Sequence, residues 1–171
     1  GPLQPYVRAA ILQACAADTQ STVVLLGDQP IETVAAEILL NVDYALLKDH
    51  SDSAEEFGRH YRFEGSNPLE YTRGNFQRWF YVDSFCRENS LTGPFLVLDS
   101  DSYLYVPVRE VAPHLSTEMT VVDRVGPQFT FFLGIQALHD FTSFLLESFA
   151  RDKGFQRLRD FVRERSNDGV P

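Results

Sequence analysis

Two aspartates one residue apart, Asp99 and Asp101, end the run FLVLDSD over residues 95–101. Residues 95–98 are wholly apolar and read as a buried strand. The two carboxylates therefore stand just past its carboxyl end, where open parallel sheets bind their ligands. Along an extended chain alternate residues share a side, which turns both carboxylates the same way. Like charges so placed repel, and each pKa rises unless a cation lies between them. Mg²⁺ or Mn²⁺, hard and oxygen-seeking, removes that penalty and is commonly shared with phosphate oxygens. The plain alternative is a solvated turn, because Asp and Ser are frequent turn residues.

Arg78 is the second candidate. It lies in NFQRWFYVDSF (75–85), where Phe76, Trp79, Phe80 and Phe85 supply an apolar helix face. A guanidinium there can clamp a phosphate or a base, or simply join a surface ion pair. Arg73 is a weaker version of the same idea. Asp28 follows a second apolar run, TVVLL (22–26), and Gly27. It can accept from a ribose or base hydroxyl, or serve as a turn residue. The four histidines are scattered without HxxH or HxH spacing and read as structural or exposed. Cys15 and Cys86 have no metal or redox spacing and sit in apolar helical patterns, so they read as buried thiols. No GxSxG, P-loop or GxGxxG motif is present.

The elements that must position these residues follow from periodicity. Val7, Ala10, Ile11 and Ala14 recur at helical spacing behind Pro5, predicting a helix over 5–17. Residues 22–26 predict a strand, 31–40 a helix, and 42–47 a strand. Ser53 with Glu56 is a capping-box pattern opening a short helix to about Tyr61. Residues 68–89 predict a long helix, which Gly74 shortens to about 75–87 if it acts as a break. Residues 95–98 are the strongest strand. Residues 119–122 and 129–133 are further strands, 134–150 a Phe/Leu-rich helix and 154–165 a basic one. Apolar strands alternating with helices predict a single α/β domain over 1–171, with a mostly parallel sheet and helices on both faces. Strands 22–26 and 95–98 are then expected in one sheet, with Phe80, Phe85, Leu96 and Leu98 nearly buried.

The 171 residues carry 15 basic and 24 acidic side chains, a net charge of −9. Residues 151–171 are locally +2, which leaves −11 on residues 1–150. Such a balance argues against nucleic acid and against anionic membrane surfaces, both of which attract Lys and Arg. No apolar run reaches 18 residues, so no membrane span is expected. Neither a signal nor a transit peptide is visible, and a cytoplasmic location is the expectation.

Together, PYVRAAILQA, VVLLGD, NFQRWFYVDSF and FLVLDSDSYLYVPV resemble the donor half of GT-A-type glycosyltransferases. The segment GPQFTFFLGIQALHDFTSFL is similar to the stretch that follows the DxD strand in bacterial-type members, with Ala137, Leu138, Phe141 and Phe144 in its helix pattern. The resemblance spans about residues 5–150. It implies a metal-dependent transferase with Mn²⁺ or Mg²⁺ as cofactor, a nucleotide-sugar donor, and a glycan or small-molecule acceptor. Asp99 and Asp101 would hold the metal, Asp99 also facing ribose or sugar hydroxyls. Arg78 would match the Arg or Lys that helps hold the donor, and Asp28 would join the donor-binding set. The family's first strand, whose loop cradles the base, has no counterpart ahead of Pro5. The acceptor-side metal ligand and catalytic carboxylate are not identifiable.

Two other readings compete. One is a non-catalytic nucleotide- or carbohydrate-binding remnant of the same fold. The other is a haloacid-dehalogenase-like phosphatase, whose first motif is also an apolar strand followed by Asp-x-Asp. That chemistry needs a later Lys and an acidic pair at a strand end, and Lys153 is the only downstream lysine.

Overall fold

The computed structural model of the chain describes residues 3–31, 34, 38, 42–62, 67–121 and 129–167, with side chains to Glu164. Two compact units are present, Gly1–Asp49 with Phe85–Ala137, and His50–Ser84 with Leu138–Pro171. The division falls inside two helices, between Ser84 and Phe85 and between Ala137 and Leu138.

In the first unit, α1 (Pro5–Ala17) begins on Pro5, whose missing N–H costs a first helical turn nothing. Its buried face is Val7, Ala10, Ile11 and Ala14, the i, i+3, i+4, i+7 stripe. Val7 and Ile11 form a core with Val34, Ile38 and Val42. β1 (Val24–Gly27) pairs in parallel with β2 (Asp43–Leu46), Gly27 opposite Leu46. A 3₁₀ turn, Leu47–His50, follows β2. The predicted helix over 31–40 lies outside the described residues except at Ile31, Val34 and Ile38.

The remaining strands form a separate sheet of order β3-β5-β4, from β3 (Phe95–Leu98), β4 (Met119–Val121) and β5 (Phe129–Phe132). Both of its pairings are antiparallel. Phe95 and Phe132 face each other in register, and their rings stack at 5.1 Å, a cross-strand aromatic pair. A short helix, α4 (Val108–Val111), lies between β3 and β4.

The α/β class stands, but the described strands do not form one mostly parallel sheet. β1 and β3 belong to different sheets, and only the β1–β2 pair is parallel among the described strands. Leu96 and Leu98 are half-buried rather than enclosed, and among the described residues their sheet has three strands. Phe85 and Cys15 are likewise half-buried, whereas Phe80 and Cys86 are buried.

In the second unit, α2 (Asp52–His60) packs on α3 (Leu69–Glu88). Ser51, not Ser53, holds the N-cap position, and it makes no side-chain cap bond. The Ser53 hydroxyl instead lies 2.8 Å from that of Ser84 on α3, which explains why the capping-box reading of Ser53 and Glu56 fails. Gly58 lets α3 come close, because a Cβ there would lie 2.7 Å from Gln77 Nε2. The Gln77 amide in turn donates to the Ala54 carbonyl at 2.8 Å. Phe57, Tyr61, Phe76 and Phe80 form an aromatic cluster with Phe149 of α5 (Ile135–Ala150). The last helix, α6 (Asp152–Asn167), is anchored by Phe155 against Phe149. Arg62 pairs with Asp152 at 2.6 Å and lies over the Phe155 ring. No described helix is long and apolar enough to cross a membrane.

Helix α3 runs straight through Gly74, so the break expected there is absent. Gly74 is exposed and a Cβ would meet nothing within 4 Å. Gly74→Ala is therefore expected to raise stability by about 0.5–1 kcal/mol, from backbone entropy alone. Urea unfolding followed by the emission of Trp79, the single tryptophan, measures it, and a loss of stability would contradict the unobstructed helix.

Candidate functional site

Parallel pairing sends the carboxyl ends of β1 and β2 to the same edge, since Gly27 stands opposite Leu46. At that edge opens a cavity of about 290 Å³, walled by Leu25, Val34 and Leu47 and rimmed by Asp28, Tyr44 and Ser100. Ser100 brings the turn after β3 to the cavity, although β3 lies in the other sheet. Asp28 and Ser100 thereby line one cavity, by way of the loops and not of a shared sheet, while Asp99 and Asp101 flank Ser100 in the chain and are not among the residues that line it.

Gly27 is required at the rim. A Cβ there would lie 2.7 Å from Tyr44 Cε2, so only glycine lets the phenol ring cross the end of β1. The Tyr44 hydroxyl donates to the Gln29 carbonyl. Burial pushes its pKa up, the Gln29 hydrogen bond opposes this, and the charge of Asp28 adds to the rise.

The segment after β3 is not extended. The Ser102 N–H donates to the Asp99 carbonyl at 3.0 Å and closes a β-turn, Asp99–Ser102. The period-two argument for the two carboxylates therefore does not apply. Asp99 is half-buried and Asp101 is exposed. Two carboxylates on one turn fit the donor set of Mg²⁺ or Mn²⁺, which takes one or two protein carboxylates and fills its other positions with water and phosphate. Among the described residues no group of three or more His, Cys, Asp and Glu side chains comes together as a metal cage.

Arg78 belongs to the second unit, on α3, where its guanidinium lies over the Trp79 ring, 4.8 Å from its centroid. Trp79 is itself buried and meets Phe141 edge-on. Arg73 pairs with Glu70 one turn away. In the same unit His139 Nδ1 lies 3.3 Å from the buried Asp83 carboxylate, which also accepts from Thr142, a structural setting of the kind expected for the histidines.

Two residues of the first unit carry no motif yet hold the segment after the turn. Asp18, the C-cap of α1, is 2 % exposed. Its carboxylate accepts from the Gln20 and Ser21 N–H groups and from the Ser21 hydroxyl at 2.7 Å. Across the unit it accepts from the Val108 N–H at 3.0 Å and from Arg109 at 2.9 Å. Burial raises the Asp18 pKa, but the bonds from Ser21, Gln20 and Val108 and the Arg109 charge outweigh it, and the net shift is downward. Gln13, half-buried on α1, pairs its amide with both backbone groups of Leu104. The short-range part of the Asp18 pattern, an Asp just past a helix with Ser three residues on, is visible in sequence as an Asx turn. The long-range partners leave no sequence signal.

No protein family, curated protein or solved structure matches the chain.

Proposed function

We propose that the chain is a metal-dependent glycosyltransferase domain of GT-A type that binds a nucleotide-sugar donor through Asp99-Ser100-Asp101. The observation that carries this reading is the acidic turn just past an apolar strand, whose Ser100 lines one cavity together with Asp28. The apolar walls suit a flat nucleoside, with the Asp28 carboxylate and Ser100 hydroxyl at the rim to accept from and donate to its polar edge. Asp99 and Asp101 would hold Mn²⁺ or Mg²⁺, whose positive charge would offset the negative charge of a diphosphate leaving group. The acceptor is a glycan or a small hydroxyl-bearing molecule.

Calorimetric titration with Mn²⁺, alone and with UDP or GDP, tests it. Mn²⁺ should bind more tightly with nucleotide, and Asp101→Ala should abolish that synergy. Unchanged Mn²⁺ binding in Asp101→Ala overturns the reading. Release of free nucleotide from nucleotide sugars marks turnover, whereas metal-dependent binding without release marks a binding remnant. Phosphate release from an aryl phosphate marks a phosphatase. Arg78→Ala, at matched Mn²⁺ and salt, assigns that residue. A 10- to 150-fold loss of donor affinity, the equivalent of a charged hydrogen bond of about 1.5–3 kcal/mol, makes it a donor ligand. Equal affinity leaves it the stacking partner of Trp79.

A further inference from the structure

Residues 99–107 join β3 to α4 without a strand or helix of their own. Backbone in such a segment needs partners from elsewhere, and here helix α1 supplies them. The Leu104 N–H donates to Gln13 Oε1 at 2.7 Å and the Leu104 carbonyl accepts from Gln13 Nε2. One side-chain amide thus satisfies both backbone groups of a residue, as a neighbouring strand would. Leu104 is buried, while Tyr103 and Tyr105 on either side are exposed, Tyr105 at 81 %. Four residues on, Asp18 holds the Val108 N–H and Arg109. The segment is tied down at two points, and Asp101 stands three residues ahead of the first.

We propose that Gln13, with Asp18 as the second anchor, is a positioning residue for the Asp99–Ser102 turn. This rests on the reading of Asp99 and Asp101 as the metal and donor ligands. The chain just beyond a turn that carries an exposed carboxylate helps to set the turn's geometry. Gln13 holds it without touching metal or donor, by fixing Leu104. Groups that hydrogen-bond a metal's ligands directly typically change metal affinity by about 10- to 100-fold when removed, and Gln13, acting one step further out through Leu104, is expected at the lower end of that range.

The test compares wild type, Gln13→Ala and Gln13→Glu well below their unfolding temperatures, with circular dichroism confirming the fold. Amide hydrogen exchange over 99–108 and Mn²⁺ affinity in the presence of UDP are the two readouts. Gln13→Ala should speed exchange at Ser102 and Leu104 and weaken Mn²⁺ binding about 10-fold. Gln13→Glu keeps the acceptor for the Leu104 N–H but loses the donor to its carbonyl, and should fall between. Faster exchange with unchanged Mn²⁺ affinity overturns the proposal, because Gln13 then only stabilises the loop. Unchanged exchange overturns it as well, because the tie then holds nothing. A wild type that binds neither Mn²⁺ nor UDP removes the glycosyltransferase reading. The positioning role falls with it, because the turn then has no ligands to position, and faster exchange in Gln13→Ala shows only that Gln13 stabilises the loop.

Discussion

Phe57→Ala is expected to cost the second unit about 3–5 kcal/mol, the range for emptying a fully buried aromatic site. Phe57 is 0 % exposed and lies at the centre of the aromatic cluster. Its ring stacks on Phe80 at 4.6 Å and meets Phe149 edge-on at 5.3 Å, with Tyr61 at 5.8 Å and Phe76 at 6.2 Å. Each such pair contributes about 0.5–1.5 kcal/mol beyond its buried area. The walls cannot close the gap easily. On one side α2 and α3 are already in contact at Gly58 and Gln77, and on the other Phe149 is held by Phe155. Trp79 lies in the same unit, buried against Phe141, so its emission reports this unit's unfolding in urea. A loss below about 1 kcal/mol would show that the cluster does not depend on Phe57. Phe57→Leu, which keeps part of the volume and none of the ring contacts, should lose less than alanine does.

The local elements were legible because each carries its own period. Pro5 and the Val7, Ala10, Ile11, Ala14 stripe set α1, and the observed helix runs over Pro5–Ala17 as expected. β1, β2, β3, β4 and β5 were all visible as short apolar runs. Their pairing was not, because strands of three or four residues carry too little pattern to fix a partner or a direction. Connection length constrains the direction of neighbouring strands. Parallel neighbours need a crossover of about a dozen residues or more. The span 28–42 between β1 and β2 allows one, whereas 122–128 between β4 and β5 does not, and the observed pairings follow. Helix α3 continues through Gly74 because one glycine costs a helix only about 1 kcal/mol, so propensity at that position is a weak prior.

The candidate site divides in the same way. The Asp-Ser-Asp pattern and Asp28 were readable by type and by position after a strand. That Ser100 and Asp28 line one cavity depends on how two separate sheets place their loops, which no local pattern encodes. The turn at Asp99–Ser102 overrode the alternation that a strand would have imposed. The ties from Gln13 and Asp18 link residues about ninety positions apart, and in sequence both are ordinary polar residues at the end of a helix.

Asp18 gives the other large effect, and its sign is set by pH. Its carboxyl titrates below the ordinary value of 3.8 in the folded protein. A carboxylate with a depressed folded pKa stabilises the fold fully above the unfolded value, and that contribution is lost as pH falls through the folded value. Asp18→Asn is therefore expected to cost about 2–3 kcal/mol at pH 7, on the scale of hydrogen bonds to a charged group. Arg109, half-exposed at its end of the pair, adds little to this because solvent screens it. Most of the cost comes from the Val108, Ser21 and Gln20 donors around a buried carboxylate. The other acidic residues give both proteins an acid-dependent loss of stability, so the difference between them isolates Asp18. Urea unfolding followed by far-ultraviolet circular dichroism should show the full difference at pH 7 and a shrinking one below about pH 4. A difference that stays constant down to pH 2 would mean that Asp18 acts through shape alone. A difference near zero at pH 7 would mean that the anchor between α1 and α4 carries no net stability.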